Sequence, residues 1–522
     1  MNRRLPLLFA LLMLPLLVGS LIFTNQLYAG TADICLLPSV CTYASIQDAV
    51  SNGPENTPLT IAAGVYQENI SISRSVILVG AGSSQTIIDG DAADSVVMVS
   101  GAVNVSISGV TLRNGDAIGV DGGGLLNETA TVTLSDSVVE NNIAPNGAGI
   151  TNDGTMILDT VTVRNNTADE FVGNVSICST CAGGGILNLS VMTITNSIIH
   201  GNTADFGGGI DNAAMADLTA TNITVYDNAA TNASSQGGGI ENLGDMSVAS
   251  SEIHTNTARN GAGIYNEGEL TVSGSDIHDN VAGGNGGGLQ NMFGLTVQNS
   301  NIHNNQAGNG GGISTQSGTV NLDRSAVYSN VASGSGGGIY NNVEAVTGAN
   351  ELTITNSTIS GNSAAGVGGG LRSMDSAVTE LSNVTFRNNS SIVQSGQSIS
   401  ILAGTMTVKN TILAISGSGT NCGGGGVITS QGYNLASDGS CQLTATGDLT
   451  NTNPQLGVLQ NNGGPTLTHA LLLGSPAINS GSGCLAVDQR GVARPFGPAC
   501  DRGAYEYDKV IQSVYLPLVL RP

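Results

Sequence analysis

The sequence predicts an all-β chain wound into a parallel β-helix. The first observation is a repeat. A Gly-Gly-Gly or Gly-Ala-Gly triplet precedes Ile or Leu ten times, ending at Leu125, Ile150, Ile186, Ile210, Ile240, Ile264, Leu289, Ile313, Ile339 and Leu371. The gaps are 25, 36, 24, 30, 24, 25, 24, 26 and 32 residues, so the base period is 24–26 with three insertions, at 168–182, 229–236 and 343–350. The second is patterning. Apolar and polar residues alternate over short stretches such as Leu270-Thr271-Val272, which is the period of a strand. The third is composition. Glycine supplies 74 of 522 residues and Trp is absent, which suits thin repeated layers better than thick irregular cores. One coil of this length holds three short strands and three turns but buries nothing alone, so coils must stack. At a spacing of ~4.8 Å, ten coils rise roughly 48 Å. A leucine-rich repeat shares the period but needs several leucines per copy.

Residues 1–29 open the chain as a secretory signal. Arg3 and Arg4 precede an apolar run from Leu5 to Phe23, and small residues end at Ala29-Gly30. Cleavage and retention as a signal anchor both stay open. No later segment has the ~20 apolar residues of a spanning helix, so the mature chain is expected to lack a transmembrane span. Residues 30–58 form an N-terminal cap, 59–415 the β-helix, 416–508 a small C-terminal β domain and 509–522 a tail. That tail, Val514 to Pro522, reads either as a final strand or as a surface-sorting segment.

Two asparagine columns accompany the repeat. The first is Asn142, Asn166, Asn202, Asn228, Asn256, Asn280, Asn305, Asn330, Asn362 and Asn389. The second is Asn127, Asn152, Asn188, Asn212, Asn242, Asn266, Asn291 and Asn341, with Thr315 and Ser373 in the remaining slots. Amides repeated at every corner bond the next coil as ladders, and Asn tolerates the left-handed backbone of tight corners. Catalysis has no use for the same residue ten times.

His254, His278 and His303 follow the inward Ile in three successive coils, with His200, Tyr226 and Tyr328 in the same slot of neighbouring coils. The slot faces outward, so the rings are expected to stack ~4.8 Å apart. The strip reads as a structural ring stack or as a metal or glycan contact. His469, further along, reads as structural.

Eight cysteines fall into four local groups: Cys35 with Cys41, Cys178 with Cys181, Cys422 with Cys441, Cys484 with Cys500. Local disulfides in an exported protein explain them. Cys178 and Cys181 also form a C-x-x-C, which leaves a redox or metal pair open.

The coils resemble right-handed parallel β-helix proteins of the pectin-lyase type. The paired G-G-G-I and [IV]-x-x-N motifs resemble the repeats of chlamydial polymorphic outer-membrane proteins. The stretch Tyr43-Ala-Ser-Ile46-Gln-Asp-Ala-Val50, followed by Leu59 to Ile70, is similar to the opening of pectin-lyase-like domains. That likeness implies a short capping helix with Ile46, Ala49 and Val50 on its buried face. Asn461-Asn-Gly-Gly-Pro through Pro476-Ala-Ile-Asn, with Asp488-Gln-Arg490-Gly and Cys500-Asp-Arg502-Gly-Ala-Tyr-Glu506, resembles the bacterial "choice-of-anchor Q" domain. The family implies a place at the C-terminal end of an extracellular β-helix.

A formal charge of −23 opposes nucleic-acid binding. The resemblance brings polysaccharide enzymes into view, but the Asp-Asp pair and the Gly-His-Gly and Arg-Ile-Lys segments of polygalacturonase-like members are missing from this sequence. Arg113, Arg164, Arg259, Arg324, Arg372 and Arg387 look scattered and match no obvious acid cluster. No motif specifies a cofactor, and Ca²⁺ stays open without one. The reading is an extracellular or cell-surface rod with a structural, adhesive or glycan-binding role and no catalysis. Its partners would be extracellular polysaccharide or cell-surface proteins. The alternative is a polysaccharide lyase or glycoside hydrolase.

Overall fold

The computed structural model describes residues 32–508 apart from 37–39, 118, 170, 173–174, 177–179, 343–350, 375–376 and 416. The expected signal (1–29), the tail (509–522) and Cys178 lie outside the described residues.

The chain is a right-handed parallel β-solenoid of about 14 turns. One coil shows the plan. Glu269–Ser273 belongs to sheet I, Asp276–His278 to sheet II, Val281–Ala282 to sheet III and Leu289–Asn291 to sheet IV. The four sheets hold 15, 15, 10 and 14 strands. Coils without a glycine triplet stack at both ends, which is why sheets I, II and IV exceed ten strands. Register is strict: Leu270 pairs with Leu295, Ile277 with Ile302 and Leu289 with Ile313. Like residues therefore stack on like. Ile277, Leu289 and Ile302 are each 0% exposed, and burying such a side chain contributes ~1.5–3 kcal/mol.

Three left-handed residues bend each coil that carries a glycine triplet. In this one they are Gly274 (φ 57), Asp279 (φ 54) and Gly286 (φ 65). The Asn of the first column is not among them. The residue just before it turns the chain, as at Asn141, Thr255 and Asn304. That corrects the expectation that the column Asn takes the left-handed conformation itself. The column Asn instead points inward and is wholly buried. Asn280 Oδ1 accepts from the backbone N–H (3.0 Å) and Nδ2 (3.0 Å) of Asn256. Asn280 Nδ2 donates to Ile253 O and to Asn305 Oδ1. The second column bonds coil to coil in the same way, as from Asn242 Nδ2 to Asn266 Oδ1 at 2.7 Å. At Thr315 the amide-to-amide chain is interrupted, and Asn291 Nδ2 keeps the bond to the carbonyl two residues on, Phe293 O, that Asn242 and Asn266 also make. A serine column is a third ladder: the N–H groups of Ser251, Ser275 and Ser300 each donate to the hydroxyl one coil on.

The cap is a helix, Ile46–Asn52, with Ser45 as N-cap and Ile46, Ala49 and Val50 buried. The first insertion carries a two-stranded antiparallel hairpin, Phe171–Val172 with Val175–Ser176. Disulfides join Cys35 to Cys41, Cys422 to Cys441 and Cys484 to Cys500. Cys181 is also disulfide-bonded.

The C-terminal boundary differs from the expected one. Cys422–Gly424, Val427–Ser430 and Leu435–Ala436 still stack on sheets IV, I and II. Glycine triplets are therefore not required for a coil. The segment 437–508 packs against the solenoid. Its described residues hold one antiparallel pair, Leu456–Gln460 with Thr468–Leu471. It folds back along the outer face of sheet II. Leu456, Leu471, Ala477 and Tyr505 share an apolar cluster with Ile412, Ala414 and Leu435 of the solenoid. Buried polar contacts fix the seat: Thr358 Oγ1 donates to Gln489 Oε1 (2.6 Å), and Ser360 Oγ lies 2.9 Å from His469 Nε2. Asp488 and Arg490 pair at 2.8 Å, and Arg490 lies 3.7 Å from the Tyr505 ring centroid.

Candidate functional site

The outer face of sheet II carries one continuous column. It begins with Asp89, Arg113, Glu140 and Arg164 in successive coils. Arg113 Nε lies 2.8 Å from Asp89, and Arg164 NH2 lies 2.6 Å from Glu140. Arg324 pairs with Asp323 at 2.9 Å. These three arginines are thus not stray cations, contrary to the sequence expectation: parallel register brings Asp89 against Arg113 and Glu140 against Arg164, while Arg324 pairs with its own chain neighbour.

The column continues as His200, Tyr226, His254, His278, His303 and Tyr328. Ring centroids are 4.7, 5.1, 5.0, 4.9 and 4.6 Å apart, with planes within 10°. The structure brings His254, His278 and His303 together in one stack. Because each ring covers its neighbour's face, ring edges point outward. Two residues earlier in each strand lies a polar column: Thr224, Glu252, Asp276 and Asn301. His278 Nε2 is 2.9 Å from Glu252 and its Nδ1 is 2.7 Å from Asp279. His303 Nε2 is 2.9 Å from Asp276.

Identical rings in this ladder have their pKa values shifted in opposite directions. Burial pulls His278 down, but hydrogen bonds to Asp279 and Glu252 outweigh it and its pKa is raised. Burial, and then the charge of His278, lowers His254. Burial and Arg164 lower His200. Beside the ladder runs a groove of about 430 Å³, lined by Thr224, Glu252, Asp276, Asn301 and corner residues, with Pro465 of the C-terminal segment at its edge. Among the described residues no group of three or more His, Cys, Asp or Glu is placed to hold a metal ion.

A second cluster was missed in the sequence. The middle residue of each sheet IV strand changes along the stack: Leu187, Asp211, Glu241, Tyr265, Gln290 and Ser314. Asp211 is 5% exposed and Glu241 3%. Burial raises both carboxyl pKa values, and the charges of Asp211 and Glu267 push Glu241 further up. The signal was present as the variable residue of G-G-G-I-x-N, the one slot where unlike residues interrupt constant neighbours.

No family model matches the chain, and no curated protein does. Solved structures do. The mannuronan C-5 epimerase AlgE6 A-module of Azotobacter vinelandii is similar over 74% of this chain and 93% of its own, at 13% identity and a TM-score of 0.29. The Agl-KA catalytic domain is similar over 74% of this chain and 64% of its own, at 13% identity and TM-score 0.29. Pectate lyase Pel9A is similar over 90% of this chain and 92% of its own, at 13% identity and TM-score 0.22.

Proposed function

We propose that the chain is an exported, surface-held or released β-helix rod that binds an extended extracellular polymer, foremost a polysaccharide, along the outer face of sheet II. The supporting observation is the groove beside the ring ladder. It offers one polar side chain per coil, Thr224, Glu252, Asp276 and Asn301, at the ~4.8 Å coil spacing. Stacked rings present edges, so they suit hydrogen bonds to hydroxyls rather than stacking under a sugar face. Repeated weak contacts along a rigid rod raise affinity through avidity. Export is supported by the disulfides. No helix among the described residues is long and apolar enough to cross a membrane. The test is calorimetric titration with neutral and acidic polysaccharides. Binding should strengthen with chain length and weaken about tenfold in the double variant Glu252→Gln/Asn301→Ala, which is about 1.4 kcal/mol. Unchanged affinity would remove the groove from the proposal.

A second reading, a polysaccharide hydrolase or lyase, is favoured by Asp211 and Glu241. Two carboxyls held apart from ordinary acid titration are what general acid–base chemistry needs. Their near-complete burial places it second, because a polymer must reach the acid. A screen for new reducing ends and unsaturated products, with and without Ca²⁺, decides. Turnover abolished in Asp211→Asn would install the enzyme.

A further inference from the structure

We propose that Asp211 and Glu241 form a carboxyl–carboxylate pair that holds one proton between adjacent coils, making this stretch of the solenoid an alkali-sensitive latch. The two residues are direct partners in parallel register. Asp211 Oδ1 and Glu241 Oε2 are both buried and have no hydrogen-bond partner. An unmatched buried oxygen is costly, and two ionised carboxylates side by side are costlier. A single retained proton answers both: one carboxyl donates, the other accepts, and only one charge stays in the interior.

The surroundings offer no other remedy. Leu187 precedes the pair in the same column and Tyr265 follows it. Tyr265 Oη donates to Glu267 Oε1 at 2.5 Å, so it is engaged elsewhere. The charges acting on Glu241 are those of Asp211 and Glu267, both negative, and burial alone acts on Asp211. No cation among the described residues relieves either group. The raised direction of both pKa values agrees with a retained proton.

The sign follows from proton counting. Unfolded, both acids titrate near pH 4. Folded, they hold protons to higher pH, so the native state binds more protons than the unfolded chain above that point. Stability from the pair is full below about pH 4 and is lost as pH rises through the raised folded values.

The experiment compares the whole chain with Asp211→Asn, Glu241→Gln and the double variant by thermal melting at pH 5, 7 and 9. The wild-type midpoint should fall by about 5 °C or more from pH 5 to pH 9, and the fall should be largely absent in the double variant. The infrared spectrum of the wild type supplies a readout that does not depend on any variant folding. A protonated-carboxyl band should persist at pH 7. Absence of that band, or equal pH slopes in wild type and double variant, overturns the proposal. So does a Ca²⁺-dependent rise in midpoint at pH 9 that the double variant loses, since a cation would then occupy the proton's place.

Discussion

His278 stands on the outer face of sheet II, His469 is laid against that face from another strand, and the two meet opposite fates. His278 belongs to the open part, where its ring sits between two others and its nitrogens face Glu252 and Asp279. His469 arrives from the C-terminal segment, is 2% exposed, and sits between Ser360 and the carbonyl of Gly457. The acids beside His278 hold its pKa up. Burial pushes His469 down to about 4. The ring column ends at Tyr328, and the next coil offers Ser360. A small residue in the sheet makes room for an imidazole carried in by another segment. Regular stacking and a docked segment are thus alternative covers for one face.

Filling the gap should have the largest effect. Ser360→Tyr would extend the ring column into the space of His469 and remove a buried hydrogen bond. We expect a loss of about 3 kcal/mol and rapid proteolysis within 437–508, measured by denaturant titration and limited digestion. A segment that stays protected would show that its seat does not depend on this position.

Acid should act next, and most strongly on the docked region. His469 stays neutral in the fold down to about pH 4 but protonates near 6.5 when released. Its stabilisation is full above 6.5 and is lost as pH falls. At pH 5 the cost is about 2 kcal/mol. Protection of 456–471 against hydrogen exchange should drop between pH 7 and pH 5. His469→Gln should flatten that dependence.

The smallest effect lies in the open region. His278 should titrate above His254 in an NMR pH series, because its pKa is raised and the other lowered. The stability contributed by charged His278 is present at acid pH and fades as pH rises through its folded value, opposite in sign to His469. Glu252→Gln should lower the His278 value while changing stability by less than about 0.5 kcal/mol, since the pair is solvent-facing. Coincident titration of the two rings would remove the acids as the cause of the split.

What the amino-acid order determined alone is the coil. Ile277, Asn280 and Leu289 recur in each repeat, and in a stacked solenoid a recurrence in sequence is a contact in space. The period, the inward apolar residues, both Asn ladders, the ring strip and the capping face of Ile46, Ala49 and Val50 were all legible for that reason. Ser251, Ser275, Ser300 and Ser325 recur with the same period, but a turn serine bonds its own turn as readily as a neighbour, so only the stacked coils reveal the column as a ladder. Only the tertiary structure decided the rest. Gln489 meets Thr358 and His469 meets Ser360 across more than a hundred residues, with no repeat to align them. Asp211 and Glu241 look like ordinary surface acids in an outward slot, and only burial in adjacent coils makes them a pair. Periodicity reports contacts between equivalent positions, whereas burial and docking depend on which unlike segments share the same space.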